Sequence, residues 1–366
     1  MAGPLQGIRI VEMAGIGPAP FTGMMLADNG AEVIRIERPG TPLDPWDPLL
    51  RSRTRLEMNL KDPQDVARLR ALFRTADGVI EGFRPGVMER LGLGPDVLMR
   101  DNPGLVFGRM TGWGQEGPLS PLAGHDINYI SISGVLGTLG RAGEQPTPPV
   151  NLAGDFGGGG MLLAFGMVSA LLAVKGGAKG QVVDCAMVDG SALLMSMIWG
   201  FRGNGSWREE RGVNLLDTGA AYYDTFPTKD GKFVSIGSIE PQFYAILRER
   251  LGLADDPELD EQEDPALWPA QKARIAAAVA MRTREEICDL FDGTDACVAP
   301  VLSMSEALVH PHNVARKAFV EVNGVAQPAP APRYSGTPCA APHGGSRPDA
   351  VEWLREQSTA SEDVAK

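Results

Sequence analysis

The strongest constraint on the fold is a strand, turn, helix and strand pattern that fills residues 7–38. Two apolar runs, GIRIVEMA and AEVIRIER, flank the turn GIGPAP and the helix-like stretch FTGMMLADNG, and together they form a βαβ unit. The pattern returns as helical spacing of apolar residues at 62–75 and as strand-like segments at 77–83, 105–110 and 181–188. This alternation predicts an α/β fold with a doubly wound, mostly parallel, Rossmann-like sheet.

A second, smaller α+β domain is predicted to begin near Ala220. There the runs YYDTFPT and FVSIGS flank KDGK, which is typical of a hairpin with a DG turn. The chain has 366 residues, and a single core seldom grows beyond about 250–300 residues. We therefore expect a large domain at 1–200 completed by 330–366, a linker at 201–221, a small domain at 222–320 and a linker at 321–329.

Charge and cysteine content exclude several classes of protein. The chain has 34 basic and 46 acidic residues, so a basic face for non-specific nucleic-acid binding is not expected. The four cysteines show neither CxxC nor metal-ligand spacing: they are Cys185, Cys288, Cys297 and Cys339. We expect neither an N-terminal leader nor a C-terminal peroxisomal tripeptide. We expect a cytoplasmic protein without a nucleic-acid partner or a metal centre.

Residues 156–174 carry no charge and approach the length of a membrane span. Four consecutive glycines occupy one end, and the remaining apolar run is short. We therefore expect a helix buried against the sheet and a soluble protein without a membrane partner.

Three ionisable residues lie in small, turn-rich motifs: His125 in GHDINYIS, Asp155 in NLAGDFGGGG and Glu240 in GSIEPQFY. Histidine is a natural general base near neutral pH. Asp155 and Glu240 each stand where a helix is predicted to start, so a capping or helix-dipole role explains them equally well. A helix start at Asp155 would also present backbone N–H groups to an enolate oxygen.

Four basic residues lie where the loops of a parallel sheet are expected to converge: Arg38, Lys61, Arg84 and Arg90. Ligands bind at the carboxyl ends of strands in such sheets, and guanidinium and ammonium groups suit phosphates. The residues therefore suit a clamp for a nucleotide diphosphate, although each one alone also fits a solvated surface charge.

The motif AGIGPAP is similar to a dinucleotide-binding fingerprint, because Gly15 and Gly17 follow a strand and precede a helix. Pro20 occupies the position of the third glycine. A proline cannot provide the same close packing of helix on strand, so the motif only weakly indicates a nicotinamide cofactor.

Several motifs together resemble the α-methylacyl-CoA racemases, a group within the family III CoA-transferase superfamily, and the bacterial racemases most of all. They are GHDINYIS, NLAGDFGGGGM, AKGQVVD and IEPQFY, with IRIVEMAGIGP, NLKDP, EGFRPGVMERLGLGP and RMTGWGQEGP spread over nearly the whole chain. The resemblance implies that His125 and Asp155 are catalytic and that Glu240 orients the histidine. It also implies an interlocked homodimer, in which Glu240 would act in its own or the partner's site.

The resemblance further implies that the large domain binds coenzyme A. The implied contacts are Arg38, Met58, Asn59, Leu60, Lys61, Gly82, Phe83, Arg84, Arg90, Gly124, Asp126, Ile127, Asn128 and Tyr129. The CoA moiety belongs to the substrate, so no separate cofactor is expected.

The expected reaction interconverts (2R)- and (2S)-2-methylacyl-CoA thioesters, an isomerase activity of fatty acid and lipid metabolism. Two acid/base groups must flank one carbon, and His125 and Asp155 suit that pair. The alternative is a family III CoA-transferase in which Asp155 attacks the thioester and carries the acyl group. A third possibility is a CoA-binding protein without activity. The acyl chain is left open.

Overall fold

A computed structural model describes residues 3–42, 44–345 and 352–356. The strands are β1 Arg9–Met13, β2 Glu32–Glu37, β3 Thr54–Glu57, β4 Gly78–Glu81, β5 Val106–Thr111, β6 Val182–Ala186, β7 Tyr223–Pro227, β8 Phe233–Gly237, β9 Val298–Pro300, β10 Phe319–Val322 and β11 Val325–Pro328. The α-helices are α1 Pro18–Asp28, α2 Pro63–Phe73, α3 Val87–Arg90, α4 Pro95–Asp101, α5 Asp126–Ile132, α6 Val135–Thr138, α7 Leu162–Lys175, α8 Met187–Leu194, α9 Ser196–Gly203, α10 Pro241–Leu251, α11 Trp268–Ala280, α12 Arg284–Phe291, α13 Met304–Val309 and α14 Pro311–Ala315. A π-helix at Leu152–Met161 runs directly into α7, and 3-10 turns cover Pro48–Leu50 and Pro257–Leu259.

Strands β1 to β6 form a parallel sheet in the order β3-β2-β1-β4-β5-β6. Val11 of β1 lies opposite Ile34 of β2 on one side and Val79 of β4 on the other. The predicted doubly wound sheet is confirmed, with β3 as an edge strand that the sequence did not predict. Strands β2 and β3 are added on one side of β1, and β4 to β6 on the other. This switch between β1 and β4 opens a crevice beyond their carboxyl ends.

The strands of this sheet are buried on both faces, which explains their continuous apolar runs. Successive side chains of a strand point to opposite faces, so Val11 joins one core cluster and Ile10 joins the other. Leu69 of α2 packs in the first cluster, and Leu163 and Met167 of α7 pack in the second. The sheet therefore lies between helices on both faces, as the alternating pattern predicts.

The apolar segment that the sequence placed at 156–174 is helical. Leu152–Lys175 is long and apolar enough, by length and composition alone, to cross a membrane, and 44% of its most apolar stretch is buried. The buried side is the one that packs on the sheet through Leu163 and Met167.

The chain divides into two compact units: residues 1–133, 150–194 and 311–366 form the first, and residues 134–149 and 195–310 form the second. The predicted small domain at 222–320 differs in that it includes 311–320, and the predicted large domain at 1–200 differs in that it includes 195–200 and the segment 134–149. That segment groups with the second unit because Arg141 pairs with Asp224 at 2.9 Å and Arg211 donates hydrogen bonds to the carbonyl oxygens of Gly137 and Glu144.

The second unit contains the predicted hairpin. Strands β7 and β8 pair antiparallel, with Tyr223 opposite Gly237, and β9 extends the sheet on the other side of β8. Helices α10, α11 and α12 cover it, and Phe226, Leu247 and Ile275 are among the residues of its core. The hairpin and the helix predicted to begin at Pro241 are confirmed.

A short helix at 352–356 packs on the first unit. Trp353 is fully buried there, donates from Nε1 to Thr75 Oγ1 at 3.0 Å and lies beside the guanidinium of Arg9. This confirms that a helix near the C-terminus docks on the large domain; residues 348–351 of the predicted helix lie outside the described residues.

Candidate active site

A cleft of about 760 Å³ opens at the carboxyl ends of β1, β4 and β5. Its walls come from the loops that follow these strands and from the start of the π-helix. The lining includes Gly15, Gly17, Arg84, Trp113, His125 and Asp155. The cleft therefore occupies the crevice that the strand order creates, which is where doubly wound sheets bind ligands.

His125 lies at the N-cap of α5, with an exposed side chain on the cleft wall. Its backbone N–H donates to Asn128 Oδ1 at 3.1 Å, so a residue of the first turn of α5 fixes the chain at His125. The His125 residue lies on the wall of the cleft.

Asp155 lies inside the first turn of the π-helix, which begins at Leu152, and not at a helix N-cap as the sequence predicted. Its side chain is half-buried and accepts from Asn151 Nδ2 at 3.2 Å. Burial raises the pKa of the Asp155 carboxyl; the hydrogen bond from Asn151 opposes the shift, the charge of Asp126 adds to it and His125 opposes it. The environment therefore favours a protonated Asp155 more than water does.

The turn before α1 also touches this carboxylate. Gly17 has φ of 67°, a left-handed conformation that glycine adopts without strain. A Cβ on Gly17 would lie 3.4 Å from Asp155 Oδ2. Gly17 of AGIGPAP thus brings the backbone close to Asp155, a role that the comparison with a dinucleotide fingerprint did not reveal.

The predicted N–H donors at the start of the Asp155 helix are already engaged. The backbone N–H groups of Gly154 and Asp155 donate to Asp126 Oδ2 at 2.7 and 2.8 Å. A neighbouring carboxylate therefore accepts these two groups, and an enolate oxygen held at this helix start would need other N–H donors.

An aromatic pair forms one wall beside His125. Tyr129 of α5 meets Trp113 edge-on, with ring centroids 4.8 Å apart, and its hydroxyl donates to the carbonyl oxygen of Gly124. A Cβ on Gly124 would come within 2.7 Å of the Tyr129 ring. Burial raises the pKa of the Tyr129 phenol. Tyr129 therefore fixes the loop that precedes His125.

The four predicted cations lie on the surface around this edge of the sheet. Arg38 follows β2, Lys61 follows β3, Arg84 follows β4 and Arg90 ends α3; all four are exposed. Arg84 lines the cleft. Within the described part of the chain, none of the four forms an ion pair.

Buried charged residues near the ends of β4 and β5 hold the loop that carries Arg84. Glu81, at the end of β4, accepts the backbone N–H of Phe83 at 2.7 Å. Arg109 on β5 pairs with Glu81 at 2.9 Å and with Glu89 of α3 at 2.8 Å. Gly82 and Phe83 line the cleft with Arg84, so this chain of charges fixes a predicted CoA-binding segment.

The predicted CoA contacts at residues 58–60 pack in the core or bond to the backbone of their own loop. Met58 is only 8% exposed and packs in the core, and Leu60 packs against the same cluster. Asn59 Oδ1 accepts the backbone N–H of Lys61 at 3.1 Å. On α5, Ile127 and Asn128 are exposed. Residues 58–60 thus shape the loop that presents Lys61.

Glu240 belongs to the second unit, whereas His125 and Asp155 belong to the first. It is the N-cap of α10 and is exposed, and its carbonyl oxygen accepts the N–H groups of Phe243 and Tyr244 at 3.0 Å. Its support of His125 stays a prediction.

Sequence analysis missed Asn151 and Trp113 as cleft residues. Asn151 precedes Asp155 by four residues, which is the spacing of neighbours on a helix. Sequence analysis did not relate the two residues, because the helix was expected to start only at Asp155. Trp113 follows β5 directly and stands at the edge where ligands bind; its position was the available signal.

Sequence comparison assigns the chain to a family. The family described as CoA-transferase family III matches residues 5–348. The chain belongs to CoA-transferase family III. Two relatives named alpha-methylacyl-CoA racemase are each 47% identical to this family III chain. The mouse protein aligns with 98% of this chain and 95% of its own length, and the human protein with 91% and 87%.

A solved structure has the same fold. The crystal structure of a CaiB/BaiF family protein from Brucella suis superposes with a TM-score of 0.81 over 98% of this chain and all of its own. At 22% identity this neighbour shows the fold alone.

Proposed function

We propose that this family III enzyme interconverts the (2R) and (2S) epimers of 2-methylacyl-CoA thioesters by removing and returning the α-proton. The observation that carries the proposal is the presence of His125 and Asp155 on the walls of one cleft, in a chain 47% identical to two relatives named alpha-methylacyl-CoA racemase. Inversion needs one acid/base group on each side of the carbon.

In the proposed reaction, a neutral His125 takes the α-proton of one epimer and gives an enolate. A protonated Asp155 then gives its proton to the opposite face of the same carbon. For the other epimer the two residues exchange roles. The raised pKa of Asp155 supports its part, because a carboxyl group that holds its proton more firmly is a better match to a weakly acidic carbon.

We propose that Arg38, Lys61, Arg84 and Arg90 hold the phosphates of CoA. The support is that they are exposed and, among the described residues, have no carboxylate partner. The loops at 58–61, 82–84 and 124–129 would then frame the rest of the CoA moiety. The proposal includes no separate cofactor, since the thioester itself acidifies the α-carbon.

We propose a homodimer that uses an exposed apolar stripe of the long helix. Met161, Phe165, Val168 and Leu172 are 52, 71, 39 and 72% exposed, and their spacing of four, three and four residues puts them on one helix face. Exposed apolar stripes of this kind mark interaction surfaces. Light scattering on the wild type and on Phe165→Glu tests the dimer, because an unchanged mass in the variant would contradict this interface.

The proposed support of His125 by Glu240, from the same or the partner subunit, and the cytoplasmic location come from the resemblance and from composition. Glu240→Gln should lower the rate of the steps that use His125. The rate of the steps that use Asp155 should not change. Equal loss in both would argue against that role.

The test of the function uses each epimer of a 2-methylacyl-CoA in deuterated water. We expect both epimers to form, with deuterium at the α-carbon of the inverted product. Transfer of CoA to an added free acid, with an acyl adduct trapped on Asp155, would establish the transferase instead. Binding of the thioester without exchange or transfer would contradict both enzymatic functions.

A further inference from the structure

Asp126 connects the two proposed acid/base residues. It follows His125 directly in the chain, and its carboxylate contacts the first turn of the π-helix. One oxygen, Oδ2, accepts the N–H groups of both Gly154 and Asp155, at 2.7 and 2.8 Å. The side chain is 5% exposed, so these are buried, charge-assisted hydrogen bonds.

The contact requires a glycine on the other side. A Cβ on residue 154 would lie 2.5 Å from Asp126 Oδ2 and 2.9 Å from its Cγ. Gly154 therefore leaves the space through which the carboxylate approaches the backbone. Any side chain at this position would push Asp126 and the π-helix apart.

Asp126 is also costly to the fold. Its second oxygen, Oδ1, is buried and has no hydrogen-bond partner among the described residues. A buried acceptor without a partner destabilises a protein, and such a group calls for an explanation beyond stability. Local features that lower stability are typical of functional sites.

We propose that Asp126 is a positioning residue that holds Asp155 in register with His125, a role that rests on the proposed two-base reaction. The turn that begins at His125 is anchored by Asn128, and Asp126 of the same turn anchors the backbone of Asp155. Asp126 thus fixes the spacing between the two residues that must face opposite sides of one carbon.

The proposal predicts an asymmetric defect. Loss of the carboxylate frees two N–H groups of the π-helix and lets Asp155 shift, while the hydrogen bond between His125 and Asn128 stays. Steps that use Asp155 should slow by about tenfold to hundredfold, the cost of a displacement on the order of 1 Å. Steps that use His125 should change by less than about threefold.

The experiment measures α-hydrogen exchange of each epimer in deuterated water, with kcat and KM for inversion. The variants are Asp126→Ala, Asp126→Asn and Gly154→Ala. Ser131→Ala is the matched control on the same helix, because among the described residues its exposed hydroxyl bonds only to the carbonyl oxygen of Ile127. The epimer that Asp155 deprotonates is identified as the one whose exchange Asp155→Asn abolishes.

In Asp126→Ala and Gly154→Ala we expect slower exchange of that epimer and a lower kcat for inversion, with KM nearly unchanged. Asp126→Asn should recover most of the rate, since its amide oxygen accepts the same two N–H groups. If Asp126→Ala does not fold, the other two variants decide.

Equal slowing of both epimers, or no slowing, would overturn the positioning role while leaving the racemase established by the wild type. A wild type without exchange would overturn both.

Discussion

Two sets of charged residues lie near the carboxyl edge of the six-stranded sheet, and they differ in burial and in pairing. In the inner set, Glu12 pairs with Arg35 and with Arg53, and Arg35 also pairs with Glu37; all four side chains are at most 6% exposed. The outer set consists of Arg38, Lys61, Arg84 and Arg90, which are exposed and form no ion pair among the described residues.

The difference separates charges that build the site from charges that are available to a ligand. The inner set reaches the loop after β1 and the first turn of α1: Arg35 donates to the carbonyl oxygen of Gly15 at 3.1 Å, and Arg53 donates to that of Pro20. Buried charges persist in a core only when they are paired and hydrogen-bonded. Cations without a partner at the same edge can instead bind phosphates.

The largest expected effect comes from breaking the inner set. Glu12→Ala leaves the guanidinium groups of Arg35 and Arg53 buried without their shared carboxylate. We expect the free energy of unfolding to fall by about 3–5 kcal/mol, the cost of removing one partner of a buried pair. Urea unfolding measures it, with Arg38→Ala as the control expected to change stability by less than about 0.5 kcal/mol. Equal stability of both variants would remove the distinction between the sets.

Substitutions in the outer set should weaken substrate binding without changing the free energy of unfolding. Removing a charge-assisted hydrogen bond, worth about 1.5–3 kcal/mol, should raise KM of Arg84→Ala for the CoA thioester by about tenfold or more, with kcat nearly unchanged. Steady-state kinetics at low and moderate salt check this. An unchanged KM would exclude Arg84 from the clamp.

Glu81 resembles the inner set in being buried, yet it also holds the loop that carries Arg84 of the outer set. Glu81→Gln should lower stability by about 1–2 kcal/mol and raise KM severalfold, less than Arg84→Ala does. Burial also raises the pKa of Glu81. A loss of stability without any change in KM would show that the loop does not depend on this carboxylate.

The smallest expected effect concerns pH. The hydrogen bond from Asn151 lowers the pKa of Asp155 against the effect of burial, so Asn151→Ala should raise that pKa further. Where Asp155 acts as base the rate rises with pH through its pKa, and where it acts as acid the rate falls. The rising limb of the pH-rate profile for the epimer that Asp155 deprotonates, and the falling limb for the other epimer, should therefore move to higher pH. Movement to lower pH would contradict the proposed environment of Asp155.

The sequence predicts the sheet and the edge at which the cleft opens, because both follow from local patterns. Continuous apolar runs identify β1, β2, β4, β5 and β6, and parallel strands bring their following loops to one edge. The edge strand β3 was missed: its four residues, TRLE, are too short and too polar to stand out.

The finer geometry depends on contacts that sequence patterns do not encode. The glycine run after Asp155 indicated a helix start, yet the helix begins at Leu152 as a π-helix, which changes which N–H groups are free. Asp126 was expected to bind CoA, whereas its carboxylate bonds to residues 28 and 29 positions away. Long-range hydrogen bonds of this kind appear only when the chain is folded.

The central claim is that His125 and Asp155 act on opposite faces of one carbon. The most direct test compares His125→Asn and Asp155→Asn, each incubated with the separate epimers in deuterated water. We predict that each variant loses inversion, still exchanges the α-hydrogen of one epimer, and that the two variants retain exchange of opposite epimers. Retention of the same epimer by both variants, or inversion by either one, would contradict the two-base account.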